Sequence, residues 1–138
     1  MGIEFASAGA FVTVIVLLAV IQFLYFGFAV GRARGRHGIN APAASGDETF
    51  ERFFRAHQNT MEQLVIFIPA IYAAGFFMHG LAAVAVGVAY LIGRALYFRA
   101  YVQDPEKRGL GMIVTMLANV ILLAMGLIGA VRVALIQA

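Results

Sequence analysis

Four stretches of this sequence are each apolar over enough residues to cross a lipid bilayer. They cover about residues 5–30, 50–78, 81–101 and 110–136, and a membrane-spanning helix needs about 20 residues. Hydrophobic residues make up 62% of the chain and charged residues 12%, whereas soluble domains average about 45–50% and about 25%. The sequence therefore predicts one all-α domain, residues 1–138, that is an integral membrane four-helix bundle.

Two polar segments, residues 31–49 and 102–109, follow the first and third spans. Eight of the ten Lys and Arg residues lie in or beside these segments. Because cytoplasmic loops of membrane proteins are enriched in Lys and Arg, we expect both segments in the cytoplasm and both termini on the other side. The first span has Glu4 rather than a basic flank and exceeds the length of a signal-peptide core, so we expect it to be retained.

Several classes of function find no support in the sequence. No soluble basic face is available for nucleic acid, and there is no Ser-His-Asp arrangement, phosphate-binding glycine loop or dinucleotide fingerprint. The three His residues lack the spacing of metal ligands, so no metal is expected. Because the chain has no cysteine, any thiol chemistry must use a thiol that a substrate brings.

A polar stripe interrupts the second span. Glu51, Arg55, Asn59 and Glu62 recur at helical spacing and share one face. Ionisable side chains at membrane depth usually mark functional sites, which favours a polar cavity lined by Asn59 and Glu62. The alternative is local helix stabilisation by pairs four residues apart, which is the favoured account of Glu51 and Arg52.

A second stripe lies on one face of the third span and consists of Tyr90, Arg94, Tyr97 and Tyr101. Tyr101 alone is also consistent with an aromatic belt at the membrane interface. Arg94 lies well inside the span, and a structural ion pair with Glu62 is an alternative to a ligand-binding role for both residues. Arg108, at the start of the fourth span, is equally consistent with a marker of the cytoplasmic edge.

The side chains of the two stripes have a chemical complement. Arginine binds carboxylates through paired hydrogen bonds, and a lone carboxylate suits an ammonium group. A ligand with two carboxylates, one amine and amide groups would satisfy this set, and glutathione fits that description. A positive charge near its thiol would favour the thiolate. We therefore expect a site where a charged peptide from water meets an apolar substrate from lipid.

The segment FERFFRAHQNTME, residues 50–62, resembles the signature of the membrane-associated proteins in eicosanoid and glutathione metabolism, the MAPEG family. VGRAR at residues 30–34 and GRALYFRAY at residues 93–101 are similar to the same family in order and spacing. The resemblance is to bacterial microsomal glutathione transferase-like members. It implies a four-helix protomer, a homotrimer in the bacterial inner membrane, and glutathione bound between subunits near the cytoplasmic side.

The resemblance also implies roles for individual residues. Arg108 matches the family arginine that stabilises the glutathione thiolate, and it is the expected catalytic residue. Arg94 is expected to support the site from within the helix packing. The residues expected to bind glutathione are Arg34, Arg55, His57, Asn59, Glu62, Tyr97 and Tyr101.

Three departures from the leukotriene-synthesising members argue against that specialised activity. Gln63 stands at a tyrosine position, Gly35 at the position of a second arginine, and Pro69 lies further along its helix. General conjugation of glutathione to lipophilic electrophiles, or reduction of lipid hydroperoxides, stays open. The alternatives are a non-catalytic lipid-binding scaffold of the same family and a small four-helix multidrug exporter. The exporter would need a carboxylate in the first span, where Gln22 is the only strongly polar residue.

Overall fold

The computed structural model describes the backbone of residues 2–137 and the side chains of residues 8–136. Four long helices cover most of this range: α1 Gly2–Arg36, α2 Glu48–Phe77, α3 Gly80–Gln103 and α4 Gly109–Gln137. Each contains a segment long and apolar enough to cross a membrane. Helices suit hydrocarbon because they satisfy their backbone amides internally. The predicted all-α, four-helix membrane fold is confirmed.

Side chains in the connections determine where the helices begin. The Asp47 carboxylate accepts a hydrogen bond from the Phe50 N–H at 2.8 Å and caps α2. His79 Nδ1 accepts from the Ala82 N–H at 3.2 Å and caps α3. Asp104 caps a short 3₁₀ helix, Pro105–Arg108, that leads into α4. Such acceptors satisfy amides that the first helical turn leaves unpaired. The short connections make α3 antiparallel to both α2 and α4.

Helices α2 and α3 each pack against the other three helices. Buried side chains from all four helices form the main core, which includes Val12, Ile15, Leu64, Phe67, Ile71, Tyr90, Ala118 and Leu122. Gly111 on α4 lies against α3, where an added Cβ would stand 2.8 Å from the Gly93 carbonyl oxygen and closer still to the Tyr97 backbone. A small residue at this position lets the two helices approach closely, as in other membrane bundles.

The outer faces of the bundle are apolar as well. Large apolar side chains are exposed on every helix, among them Leu24, Phe28, Val65, Ile92, Leu127 and Ile128. A helix that is apolar on all sides is typical of a membrane span, because lipid tails cover the face that the protein does not. The core and the exposed faces therefore agree on a multi-pass integral membrane protein.

The helices extend beyond the boundaries expected from hydropathy. The segment expected as a polar loop from residue 31 begins only after Arg36, because α1 continues through its basic residues. Arginine is a good helix former, and basic side chains in a last turn interact favourably with the helix dipole. The second polar segment is also partly helical, since α3 reaches Gln103 and Pro105–Arg108 is a 3₁₀ helix. Hydropathy marks the end of the apolar run, whereas hydrogen bonding decides the end of the helix.

Candidate functional site

Helix α2 presents the first polar stripe on one face. Arg55 and Glu62 are exposed, and Asn59 between them is half-buried. Asn59 Nδ2 donates a hydrogen bond to Glu62 Oε2 at 3.3 Å. One carboxylate oxygen of Glu62 is therefore held by the protein, while its charge faces outward from the protomer.

Arg94 links this stripe to α3. The side chain is 1% exposed, and its Nη1 donates to Asn59 Oδ1 at 3.1 Å while its Nη2 donates to Thr60 Oγ1 at 2.7 Å. Because Arg94 occupies Asn59 Oδ1, the amide NH₂ must point toward Glu62. Arg94 forms no ion pair with Glu62, so the structural ion pair that the sequence left open as an alternative is wrong. The helix crossing places neutral acceptors against the guanidinium instead.

Aromatic rings continue the contact from Arg94 toward α4. The Arg94 guanidinium carbon lies 4.3 Å from the centre of the Tyr97 ring. Tyr97 stacks on Tyr101 with 5.5 Å between ring centres, and the Arg108 guanidinium carbon lies 5.8 Å from the centre of the Tyr101 ring. Cations over aromatic faces are attracted by the ring quadrupole. The Glu62–Arg108 network, as we call it, consists of Glu62, Asn59, Arg94, Tyr97, Tyr101 and Arg108.

Arg108 is held at the polar end of this network. Its Nη1 donates to the Pro105 carbonyl oxygen at 2.7 Å within the 3₁₀ helix, and the rest of the side chain is exposed. The structure thus links an exposed carboxylate to an exposed guanidinium through a chain of contacts that includes two tyrosine rings.

Three of the expected glutathione-binding residues lie outside the network. Arg34 donates to the Ala43 carbonyl oxygen at 2.7 Å, in the segment after α1. The ring of His57 stacks on Phe23 of α1 with 4.3 Å between centres. Arg55 is exposed and makes no hydrogen bond or ion pair within residues 8–136. Arg34 and His57 therefore face a different side of the protomer from Asn59 and Glu62.

The structure also shows polar contacts that the sequence did not predict. Thr60 accepts from Arg94 and donates to the Ala56 carbonyl oxygen at 2.8 Å. Asn119 Nδ2 of α4 donates to Gln63 Oε1 of α2 at 2.9 Å. Thr60 adjoins Asn59 in the sequence, which is the one available signal. The Gln63–Asn119 pair depends on the crossing of two distant helices, and spacing cannot reveal it.

These groups can hold a zwitterionic ligand. A carboxylate binds an ammonium, a guanidinium binds a carboxylate or stabilises a thiolate, and tyrosine rings cover the apolar parts of a bound peptide. In the part of the chain with described side chains, no group of three His, Cys, Asp or Glu residues converges as a metal site would require. The chemistry available at the site is that of charges and hydrogen bonds.

Comparison with known proteins agrees with the motifs. The family model of the MAPEG family matches residues 12–128. The chain belongs to the MAPEG family. It is 38% identical over 103 residues to microsomal glutathione S-transferase 2 of Mus musculus, covering 75% of this chain and 70% of the relative. It is 32% identical over 120 residues to leukotriene C4 synthase of Cavia porcellus, covering 87% of this chain and 80% of the relative.

A bacterial relative shows the same degree of similarity. An uncharacterized protein of Synechocystis sp. is 38% identical over 108 residues, covering 78% of this chain and 79% of the relative. The family expected from the motifs in the second and third helices is therefore confirmed over most of the chain. Membership of this MAPEG family and four apolar helices together show a multi-pass integral membrane protein.

Proposed function

We propose that this MAPEG protein is a membrane-bound glutathione transferase that joins the glutathione thiolate to lipophilic electrophiles. The observation that carries the proposal is the Glu62–Arg108 network, which connects an exposed carboxylate on α2 to an exposed guanidinium beside α4. The names of the microsomal glutathione S-transferase and leukotriene C4 synthase relatives support glutathione as the co-substrate.

Each end of the network suits one part of glutathione. Glu62 would bind the ammonium of the γ-glutamyl residue, and Arg55, exposed on the same face of α2, would bind a carboxylate. Asn59 would hydrogen-bond the peptide, although its amide is partly engaged by Arg94 and Glu62. Tyr97 and Tyr101 would form the wall against which the tripeptide lies. Arg108 would then stand near the sulfur.

The remaining two binding residues favour a site between subunits. On a helix with 3.6 residues per turn, His57 lies about 200° from Asn59 around the axis of α2. His57 packs toward α1, and Arg34 contacts the segment that follows α1. A single ligand can reach these residues and the Glu62–Arg108 network together only if two subunits contribute. This geometry favours a site shared by two subunits, and the homotrimer that the family resemblance implies would provide such a site.

The reaction requires an ionised thiol and an apolar substrate in one place. The thiolate sulfur forms a bond to the electrophilic carbon, and the leaving group departs with the electron pair of the broken bond. With a lipid hydroperoxide, two glutathione molecules would supply two electrons, giving glutathione disulfide, an alcohol and water. The exposed apolar faces of the helices allow such substrates to arrive from the bilayer.

Activity of the purified protein with glutathione and chlorodinitrobenzene tests the proposal. We expect saturable dependence on glutathione and formation of the dinitrophenyl conjugate. We also expect ultraviolet absorption of the bound thiolate to appear when glutathione is titrated into the enzyme without electrophile. Arg99→Ala, which removes an exposed arginine outside the network, serves as the matched control. If no conjugate forms and no thiolate signal appears, the result would favour the non-catalytic lipid-binding scaffold instead.

A further inference from the structure

A separate cavity lies at the polar end of the bundle, between the last turns of α1 and the first turns of α2. Its volume is about 330 Å³, and the side chains that define its character are Arg32, Arg36, His37, Thr49 and Phe53. Arg34 does not line it, because two positions along a helix turn a side chain by about 200°. Arg34 instead contacts the Ala43 carbonyl oxygen. The cavity is therefore distinct from the Glu62–Arg108 network.

The two arginines of this cavity carry charge that the protein does not neutralise. Within residues 8–136, neither Arg32 nor Arg36 lies within ion-pair distance of a carboxylate. The Arg32 guanidinium carbon lies 5.9 Å from the centre of the Tyr25 ring, which itself is exposed. Because Arg32 and Arg36 are four residues apart, their side chains lie on the same face of α1 and can reach one ligand together.

The acidic side chains around the cavity already have partners. Asp47 pairs with His37 at 3.0 Å and also accepts the Phe50 N–H. Glu48 pairs with Arg52 at 2.6 Å. These contacts leave the pair of arginines as the uncompensated charges of the cavity, and the complement they lack is an anion.

The position of the cavity relative to the membrane indicates which anion can reach it. Val30 is the last large apolar residue of α1, so Arg32 and Arg36 lie about 3 Å and about 9 Å beyond it at 1.5 Å per residue. The headgroup layer extends about 5–8 Å outside the hydrocarbon core. Arg32 thus stands within the headgroup layer, and the Arg36 side chain can reach that layer because helical side chains lean toward the N-terminus of the helix. Below them the rings of Tyr25 and Phe28 are exposed on the outer face of α1, where acyl chains would run.

We propose that this cavity binds the phosphate of an anionic phospholipid headgroup. Arg32 and Arg36 would donate hydrogen bonds to the phosphate oxygens, since the guanidinium fork matches phosphate geometry. The Thr49 hydroxyl would donate from the first turn of α2, while Phe53 would contact the glycerol backbone. A lipid bound here would join α1 to α2 next to the connecting segment. The inference does not rest on the proposed enzymatic function.

The test compares lipid binding by the full chain in detergent. Native mass spectrometry would count phosphatidylglycerol and phosphatidylcholine molecules bound during titration with each lipid. We expect a preference for phosphatidylglycerol, and about thirtyfold weaker binding of it in the double variant Arg32→Gln/Arg36→Gln, the effect of removing two basic residues at an anionic surface. The matched control Arg99→Gln/Arg132→Gln removes the same charge from exposed positions and should bind as the wild type does.

Additional measurements distinguish lipid binding from binding of other anions. Equal binding of the two lipids, or equal losses in the two double variants, would overturn the proposal. Displacement of phosphatidylglycerol by millimolar inorganic phosphate would show a site for soluble anions instead. If the double variant does not fold, as judged by thermal unfolding, the single variant Arg32→Gln should show about fivefold weaker binding. Glutathione affinity should be unchanged in the double variant and in the single variant. A loss of glutathione affinity would assign the cavity to the glutathione site and refute the proposal that it binds a lipid.

Discussion

Replacement of Arg108 by alanine should slow conjugation at neutral pH and have little effect at alkaline pH. A thiol with a pKa of about 8.5 is about 3% ionised at pH 7, and a decrease of about two pKa units raises the ionised fraction to about three-quarters. If Arg108 causes that decrease, its removal should reduce turnover at pH 7 about 25-fold. At pH 9 both enzymes would hold mostly thiolate, so the difference should fall below about twofold.

The position of Arg108 makes this magnitude reasonable. A decrease of two pKa units corresponds to about 2.7 kcal/mol. A guanidinium about 6 Å from the sulfur provides about 2.8 kcal/mol at an effective dielectric constant of about 20. Arg108 is fixed by its hydrogen bond to the Pro105 carbonyl oxygen and lies 5.8 Å from the centre of the Tyr101 ring. Because the side chain is exposed in the protomer, the full effect needs a neighbouring subunit or substrate to exclude water.

Steady-state conjugation of chlorodinitrobenzene, measured from about pH 6.5 to about pH 9 at saturating glutathione, is the assay. Glutathione affinity is determined at each pH from the same titrations, and Arg99→Ala is the control for loss of an exposed arginine. Turnover of Arg108→Ala should rise with pH until it approaches that of the wild type. A deficit that stays constant across the pH range, or a loss confined to glutathione affinity, would refute the role of Arg108 in ionising the thiol.

Three other substitutions test the site and the fold. Glu62→Gln should weaken glutathione binding, measured by calorimetry, up to about fivefold through loss of an exposed charge pair. A glutathione analogue that lacks the amine should bind equally well to the wild type and to Glu62→Gln. Gly111→Ala should lower the free energy of unfolding by about 1–3 kcal/mol, because the added methyl group meets the α3 backbone. Gly109→Ala is the control, because there is open space around Gly109, and it should leave thermal unfolding unchanged. The Phe50 N–H donates to Asp47 and, with His37 nearby, holds the pKa of that carboxyl below its usual 3.8. Its stabilising effect is therefore complete above about pH 5 and is lost as pH falls through the lowered pKa, so the difference in melting temperature between wild type and Asp47→Asn should narrow below about pH 4.

Several features of the fold were predictable because they are local. The number, order and apolar length of the four spans depend on neighbouring residues only, and all appear in the structure. The extension of α1 to Arg36 was not expected, because hydropathy reports where a side chain prefers to lie and not where backbone hydrogen bonding stops.

The candidate site also has some contacts that the sequence could predict and others that it could not. Helical spacing placed Asn59 and Glu62 on one face of α2, and the structure has them hydrogen-bonded to each other. Spacing within one helix could not show that Thr60 would accept a hydrogen bond from Arg94. That contact depends on which residues face each other where α2 crosses α3, which is a property of the packed bundle.

The sequence by itself determined that this protein is a four-helix membrane bundle of the MAPEG family with charged side chains inside its apolar helices. Length, hydropathy and short motifs suffice for that conclusion, since each is set within one helix. Only the tertiary structure decided the partners of those charges. A buried guanidinium takes the acceptors that the helix crossing places beside it, so Arg94 binds Asn59 and Thr60 and leaves the Glu62 carboxylate exposed.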